Sequence, residues 1–283
     1  MLIIDYKYLH GTEDRGNYVA IPELNRNKAS TPQFINLADL DITLDKPTAF
    51  LYIDGVSQSP SESGLNPVDI KNYMPRVRSC SAFMFHEWIR TFEGNEHLVK
   101  VDTMSGTCAA GIQAMYEAQR LLNDGVIKEV VIIGSERITE STLSLFSEIN
   151  IPVVCGDGFV YLKLSNDEEG SPDPYIPNDV KWKYTHQRNP FVFPKEVLAT
   201  LIPEYPVDYV KLHATGTEAN TEAESLLSEI AEPITYKQLI GHTQGISSLL
   251  ETCLMLDDPS ISGKVLVVAN GLGGFYGSFT VII

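Results

Sequence analysis

Two stretches of this chain close in the same way. GDGFVYLKL at 156–164 and GGFYGSFTVI at 273–282 each place a glycine-rich turn before a terminal apolar strand. Similar elements lead up to both. In the first half, Ala49–Ile53 reads as a strand closed by Asp54-Gly55, and His97–Asp102 as a second strand. Ala109–Asn123 reads as a helix with Ile112, Met115, Ala118 and Leu122 on one face, and Glu129–Ile133 as an apolar strand buried on both sides. In the second half, strand Asp208–Leu212, helix Thr221–Ile230, helix Ile246–Leu256, strand Lys264–Val268 and strand Phe279–Ile283 repeat that order. Strands and helices alternating in this way specify an α/β protein, and the doubled ending specifies an internal duplication.

The segments between are less regular. Residues 1–46, broken by Pro22 and Pro32, read as an N-terminal elaboration; 47–165 form the first half, 166–180 (from within SNDEEGSPDPYIPND) a linker, and 181–283 the second half. SQSPSESGLNP is a loop by composition. Val68–Arg90 is expected to contain helix, interrupted around Pro75. Val153–Val154 and Phe159–Leu164, flanking Gly156-Asp157-Gly158, are expected to form a two-strand ending.

Composition excludes several classes. At 283 residues with 43% hydrophobic and 20% charged residues, the chain can bury a full core and is not disordered. Its apolar runs are far shorter than the roughly 20 residues that cross a bilayer. Asp5 and Lys7 interrupt the N-terminus where an export signal would be apolar, so the expected compartment is the cytoplasm. A net charge of −16 argues against nucleic acid and anionic membrane as partners. The four cysteines, Cys80, Cys108, Cys155 and Cys253, show no CxxC and fit reduced thiols better than a disulfide frame or a zinc site.

Cys108, in Ser105-Gly106-Thr107-Cys108-Ala109-Ala110-Gly111, falls between a predicted strand and a predicted helix. A helix N-terminus offers unpaired N–H groups and a positive dipole end, which favour a thiolate and lower its pKa. A small buried capping residue would look the same. His213 opens His213-Ala214-Thr215-Gly216-Thr217 at the end of a strand, and His242 sits in Gly241-His242-Thr243-Gln244-Gly245. Two imidazoles at strand ends could polarise a carbonyl in a shared cleft; either alone is equally an ordinary packed histidine. Lys237 and Glu251 alone read as solvated charges, and Glu224 as the third-position acid of a capping box opened by Thr221.

Together, Cys108 with Ala109-Ala110-Gly111, Gly156-Asp157-Gly158, His213-Ala214-Thr215-Gly216-Thr217, Lys237, Gly241-His242, Glu251 and Asn270-Gly271-Leu272-Gly273-Gly274 come in the order and spacing of a β-ketoacyl-acyl carrier protein synthase. From about residue 75 to 283 the chain resembles this ketosynthase branch of the thiolase superfamily, as an unusually short member. The resemblance implies a thiolase-like α/β fold of two duplicated βαβαβ-type halves with layered sheets and buried helices. It implies Cys108 as the acyl-accepting nucleophile, and His213 and His242 as the pair acting on the malonyl thioester carbonyl. Lys237 is then the supporting lysine, Glu251 the buried acid, and Gly273, Gly274 and Phe275 the gating turn that supplies an oxyanion donor. No metal or redox cofactor is implied.

Departures from the family pattern accompany these matches. Ala214 replaces a glycine, Glu218 a proline, Thr221 an acid, and Leu272 a phenylalanine. The gap between Gly158 and His213 is much reduced, so the cap over the acyl tunnel is either missing or supplied in trans. By resemblance the activity is acyl transfer to Cys108 followed by decarboxylative condensation with a malonyl thioester, in fatty acid, polyketide or related metabolism. The alternatives are a cysteine-dependent acyltransferase acting on an amine or alcohol, and a non-catalytic partner subunit of a ketosynthase heterodimer. Expected partners are acyl carrier protein or coenzyme A thioesters and a second subunit, identical or paralogous. Lys181, Lys183, Arg188 and Lys195, with Arg76 and Arg78 upstream, are the candidate carrier-docking cations on an otherwise acidic chain.

Overall fold

The structure is a computed structural model that describes residues 1–24, 34–36, 40–53, 88–92, 94–148, 151–166, 174–186 and 193–283. Cys80, Arg76, Arg78 and Arg188, the serine-rich loop, most of the helix expected within Val68–Arg90 and much of the expected linker lie outside the described residues.

Two five-stranded sheets carry the fold. The first contains β1 (Leu2–His10), β4 (Thr48–Ile53), β5 (Leu98–Met104), β6 (Glu129–Glu136) and β8 (Gly158–Ser165), in the order β1-β8-β6-β4-β5. The second contains β9 (Lys181–Tyr184), β10 (Tyr209–Lys211), β11 (Glu232–Ile234), β12 (Lys264–Gly271) and β13 (Phe275–Ile282), in the order β9-β13-β12-β10-β11. Read in these orders, both sheets have two antiparallel pairings followed by two parallel ones. The duplication seen in the two glycine-rich endings is therefore a duplication of sheet topology.

Between the sheets lie two buried helices, α1 (Ala110–Asn123) and, later in the chain, Ser247–Asp257. Ile112, Ala114, Met115, Ala118 and Leu122 of α1 join Leu249, Leu250, Cys253 and Met255 in one core with the inward residues of both sheets. The two helices touch where a Cβ on Gly111 would collide with Ser248 Oγ, so only glycine permits that approach. The Ser247–Asp257 helix is apolar on nearly every side, as a helix covered from both faces must be. Glu251 in its middle therefore needs partners.

Further helices among the described residues are α2 (Glu140–Glu148), α3 (Lys195–Leu201), α4 (Glu218–Ser228), α5 (Lys237–Ile240) and, last in chain order, α6, the Ser247–Asp257 helix. A small sheet of β2 (Glu13–Asp14), β3 (Tyr18–Ala20) and β7 (Cys155–Gly156) lies beside them.

Three local expectations are corrected. Leu2–His10, assigned to an N-terminal elaboration, pairs with β8 from Leu2↔Ser165 to His10↔Gly158 and is a strand of the first sheet. Gly156-Asp157-Gly158 is no hairpin turn, because β7 and β8 belong to different sheets. The buried Asp157 carboxylate accepts the backbone N–H groups of Ile21 (3.0 Å) and Ile138 (2.9 Å), and these long-range bonds override the local turn chemistry. Finally, α4 begins one turn before the expected capping box. Thr217 is its N-cap, its Oγ1 accepting the Asn220 N–H, and Glu224 faces elsewhere.

Candidate functional site

The junction expected between strand β5 and helix α1 is a single 3-10 turn, Thr107–Ala109, leading directly into the helix. It presents Cys108, 7% exposed, to a cavity of about 30 Å³. The walls include His213, His242, Asn270, Leu272 and Phe146. The cavity has room for about one water molecule.

Each histidine is held by its backbone. His242 N–H donates to Val154 O (2.6 Å) and His242 O accepts from Gly156 N–H (3.2 Å), so strand β7 fixes this loop. His213 N–H and Ala214 N–H donate to Glu224 (2.6 and 3.1 Å to Oε1), which puts the expected capping acid at the base of the His213 loop. The rings of His213 and His242 meet edge to face, centroids 5.3 Å apart at 87°. Nδ1 of His213 and Nε2 of His242 have no hydrogen-bond partner among the described residues.

Behind His242 is a buried polar array. Lys237 Nζ donates to Glu251 Oε1 (2.5 Å) and to Ser247 Oγ (2.7 Å); Ser247 Oγ in turn donates to Glu251 Oε1 (2.7 Å) and stands 3.4 Å from His242 Nδ1. Glu251 Oε2 lies 3.3 Å from Lys211 Nζ. Sequence reasoning missed Lys211. Its signal was a charged residue in a strand, Tyr209–Lys211, whose position demands burial. Glu136 was missed too: buried at the end of β6, it accepts the Gly245 N–H beside the nucleophile turn (3.2 Å).

The thiol does not behave as expected at its helix end. Burial, reinforced by the negative charge of Glu136 and opposed by Lys237, pushes Cys108 up to about 12. Desolvation outweighs the favourable helix terminus, so the resting group is the thiol. Burial also holds His213 and His242 well below the usual histidine range, aided by the charges of Lys237 and Lys211. Burial pushes Glu251 up, but Lys211, Lys237 and its hydrogen bonds outweigh this and keep it below the ordinary carboxylate range. The site therefore pairs a neutral thiol with neutral imidazoles over an ionised Glu251 that is hydrogen-bonded by Lys237 and Ser247.

The backbone is strained where these groups meet. Thr107, Ala214 and Gln244 are the non-glycine residues with positive φ among those described (50°, 52° and 44°), and each neighbours Cys108, His213 or the His242 loop. Asn270-Gly271 at the end of β12 packs against the nucleophile turn, where a Cβ on Gly271 would collide with Gly106 O and Thr107 Oγ1. Thr107 Oγ1 donates to Leu272 O (3.2 Å). In the turn after β12, Leu272 lines the Cys108 cavity, while Gly273 and Gly274 supply positive φ and Phe275 stacks on Trp182.

The cations expected to dock a carrier are dispersed in role. Lys181 Nζ donates to Thr200 O (3.2 Å) and Ile202 O (2.7 Å), closing the end of α3, and Lys195 pairs with Glu222 at 3.0 Å. Lys183 stands on edge strand β9. A larger cavity of about 720 Å³ lies against Val153, Val154, Ala214, Glu224 and Lys237; Thr215 lines both cavities. Cys108, Cys155 and Cys253 are free thiols. Among the described residues no helix is long and apolar enough to cross a membrane, and no cluster of His, Cys, Asp or Glu could hold a metal ion.

No family model matches the chain. No curated protein sequence matches it. Solved structures do. A β-ketoacyl synthase from Burkholderia phymatum STM815 is 13% identical with a TM-score of 0.75, the match covering 99% of this chain and 98% of that one. A structure of a ketosynthase (ApeO) in complex with its chain length factor (ApeC) from Xenorhabdus doucetiae matches at 13% identity and TM-score 0.72, over 100% and 97%. A type II polyketide synthase acyl carrier protein in complex with its ketosynthase bound to the hexaketide matches at 11% identity and TM-score 0.69, over 99% and 98%. The architecture of paired, duplicated sheets around buried helices is thus a thiolase-like fold, shared with these ketosynthase structures.

Proposed function

We propose that the chain is a β-ketoacyl synthase-like condensing enzyme in which Cys108 carries the acyl group and His213 and His242 act on a malonyl thioester. The supporting observation is that Cys108, His213 and His242 line one small cavity backed by the Lys237–Ser247–Glu251 array.

The neutral thiol needs a base, and the neutral imidazoles meet that need. As Cys108 Sγ bonds to the acyl carbonyl carbon, its proton passes to an imidazole, with Nε2 of His242 lacking a hydrogen-bond partner among the described residues. The donor's carbon–sulfur bond breaks and its thiolate takes the proton. The backbone N–H of Cys108 and one from the Gly273–Phe275 turn are the oxyanion donors in this reading. In the second half-reaction a malonyl thioester loses carbon dioxide. The resulting enolate, its oxygen held by the imidazole N–H groups, attacks the acyl carbon and expels the Cys108 thiolate, which regains its proton from solvent. Lys237 and Glu251 hold His242 through Ser247 while these charges come and go. The donor thioester is carried by an acyl carrier protein or by coenzyme A.

A second reading is favoured by the tightness of the cavity. About 30 Å³ admits no acyl chain without movement of a wall such as Phe146, and the matched structures include a ketosynthase with its chain length factor. In that reading the chain is a non-catalytic partner subunit. In either, edge strand β5, where Val99 is 54% exposed, is the surface offered to a second subunit. Intact-mass spectrometry with a panel of acyl thioesters, followed by carbon dioxide release from malonyl thioester, separates the readings. Acylation at Cys108 with release supports the enzyme. No acylation and no release, alone or with a ketosynthase partner, supports the partner subunit, and acylation without release supports transfer to another acceptor.

A further inference from the structure

Lys211 carries a buried charge that this reaction does not use. It is fully buried on β10, and the strands flanking it present Ile234 and Val267 at its level, so neither side offers a counter-charge. The groups that face it come from three helices: Glu251 of α6, Lys237 of α5 and Glu224 of α4. His213 follows two residues on. Glu224 is committed to the amides of His213 and Ala214, which leaves Glu251 as the ion-pair partner.

Glu251 already has a cation. Lys237 and Ser247 both hold Oε1, and a lysine–glutamate pair is neutral without further help. Lys211 adds one positive charge and touches only Oε2. A methionine of similar length would fill the same volume with no charge to desolvate, and such replacements of buried ions are often tolerated or stabilising. The charge itself therefore asks for an explanation.

We propose that Lys211 is a positioning residue that, through Glu251, fixes the Ser247 hydroxyl beside His242. This rests on the reading of Cys108, His213 and His242 as the reacting groups. The carboxylate torsion of a glutamate is soft, so a carboxylate held at one oxygen can rotate, whereas one held at both cannot. Lys237 and Ser247 hold Oε1 by hydrogen bonds, whereas Lys211 Nζ, 3.3 Å away and without hydrogen-bond geometry, draws Oε2 by charge; Glu251 is thus pulled from two sides, and Ser247, bonded to that carboxylate, is 3.4 Å from His242 Nδ1. The surplus positive charge then acts on the rings, because each lysine disfavours a protonated imidazole nearby. Burial brings Lys211 itself down to about 8, so the pull on Oε2 is lost on the alkaline side of neutrality.

The test uses the whole chain with labelled histidine and lysine, and nuclear magnetic resonance to follow ring and Nζ signals with pH. In the unsubstituted protein the Lys211 Nζ signal should titrate near pH 8, and the His242 ring signal should shift with the same midpoint. Lys211→Met should raise the His213 and His242 midpoints by about one pH unit, the low end of what a neighbouring charge does. Lys211→Arg, always charged, should restore them. Midpoints unchanged in a folded Lys211→Met protein would overturn the proposal. If that variant does not fold, a His242 signal indifferent to the Lys211 titration in the unsubstituted protein overturns it instead. None of these signals requires turnover. A failure of Cys108 to accept any acyl group, with the histidine shifts present, would count against the condensing-enzyme reading and leave the electrostatic role of Lys211 standing.

Discussion

His213 and His242, 29 positions apart in the sequence, face each other at 87° with ring centroids 5.3 Å apart. That separation suits two groups meeting one oxygen atom. On the proposed condensing-enzyme mechanism, replacing either with alanine removes a donor to the developing enolate, which costs on the order of 10²–10³ in rate. His213→Ala and His242→Ala should therefore lose malonyl decarboxylation by that factor while Cys108 still reaches full acylation, more slowly in the variant that loses the thiol's proton acceptor. Mass spectrometry reads the loading and trapped carbon dioxide the second step. Parallel loss of both in folded variants would refute the division of labour.

The same burial makes the histidines a liability in acid. Both are held well below the usual range in the folded chain, against about 6.5 when unfolded, so in acid the unfolded state binds protons that the native state does not. Their contribution is fully present above pH 6.5 and falls as the pH drops toward the folded values. While both unfolded imidazoles are charged and both native ones neutral, the loss is about 2.7 kcal/mol per pH unit. Urea unfolding should show a dependence that is shallow at pH 7, steepens through 6.5 and approaches this slope near pH 5, and a folded His213→Gln/His242→Gln protein should show it flattened.

The parts of the site that could be read from the chain are those made by neighbours in sequence. Cys108 between β5 and α1 needed only a strand, a small-residue turn and an amphipathic helix. What was hidden depended on distance. Leu2–His10 mixes Asp5 and Lys7 with apolar residues, and its partner β8 lies more than 140 residues away, so nothing local marked it as a sheet strand. Lys211 and Glu136 became legible only when the sheets placed them against Glu251 and Gly245. Glu224 was read as a local cap because its spacing fitted one; the His213 and Ala214 amides claimed it instead.

Ala214 stands where the resembling family has glycine, and its φ of 52° shows the cost. A left-handed conformation disfavours a residue with a Cβ by roughly 1–2 kcal/mol, part of which glycine returns through its freer unfolded state. Ala214→Gly should stabilise the chain by about 0.5–1 kcal/mol, seen as a higher urea midpoint at unchanged slope. A destabilised variant would mean that the alanine methyl packs where the backbone strain suggests it should not.

Glu224 ties the His213 loop to α4 through two amide hydrogen bonds. Removing a buried carboxylate that accepts backbone donors leaves those N–H groups unsatisfied, so Glu224→Ala should cost about 2 kcal/mol. The larger sign should be local. Amide hydrogen exchange at His213 and Ala214 should accelerate well beyond that of β12, which Glu224 does not touch, and uniform acceleration across both would assign the residue a global role only.

The last prediction separates two lysines that the sequence groups together. Lys181 spends its ammonium on Thr200 O and Ile202 O, the open carbonyls at the end of α3, while Lys183 two positions on belongs to the same edge strand. A carrier protein meeting a chain of net charge −16 must be steered by a local positive patch, and such binding weakens with salt. Lys181→Glu sets a carboxylate against two carbonyls and should lower stability and slow loading from every donor alike. Lys183→Glu should leave the unfolding free energy in urea within about 0.5 kcal/mol of the unsubstituted chain. Its loading should slow only when the acyl group arrives on a carrier, and the defect should shrink as salt rises. Equal slowing with a small soluble thioester would make Lys183 a structural residue as well, and no slowing with either donor would move the docking surface away from β9.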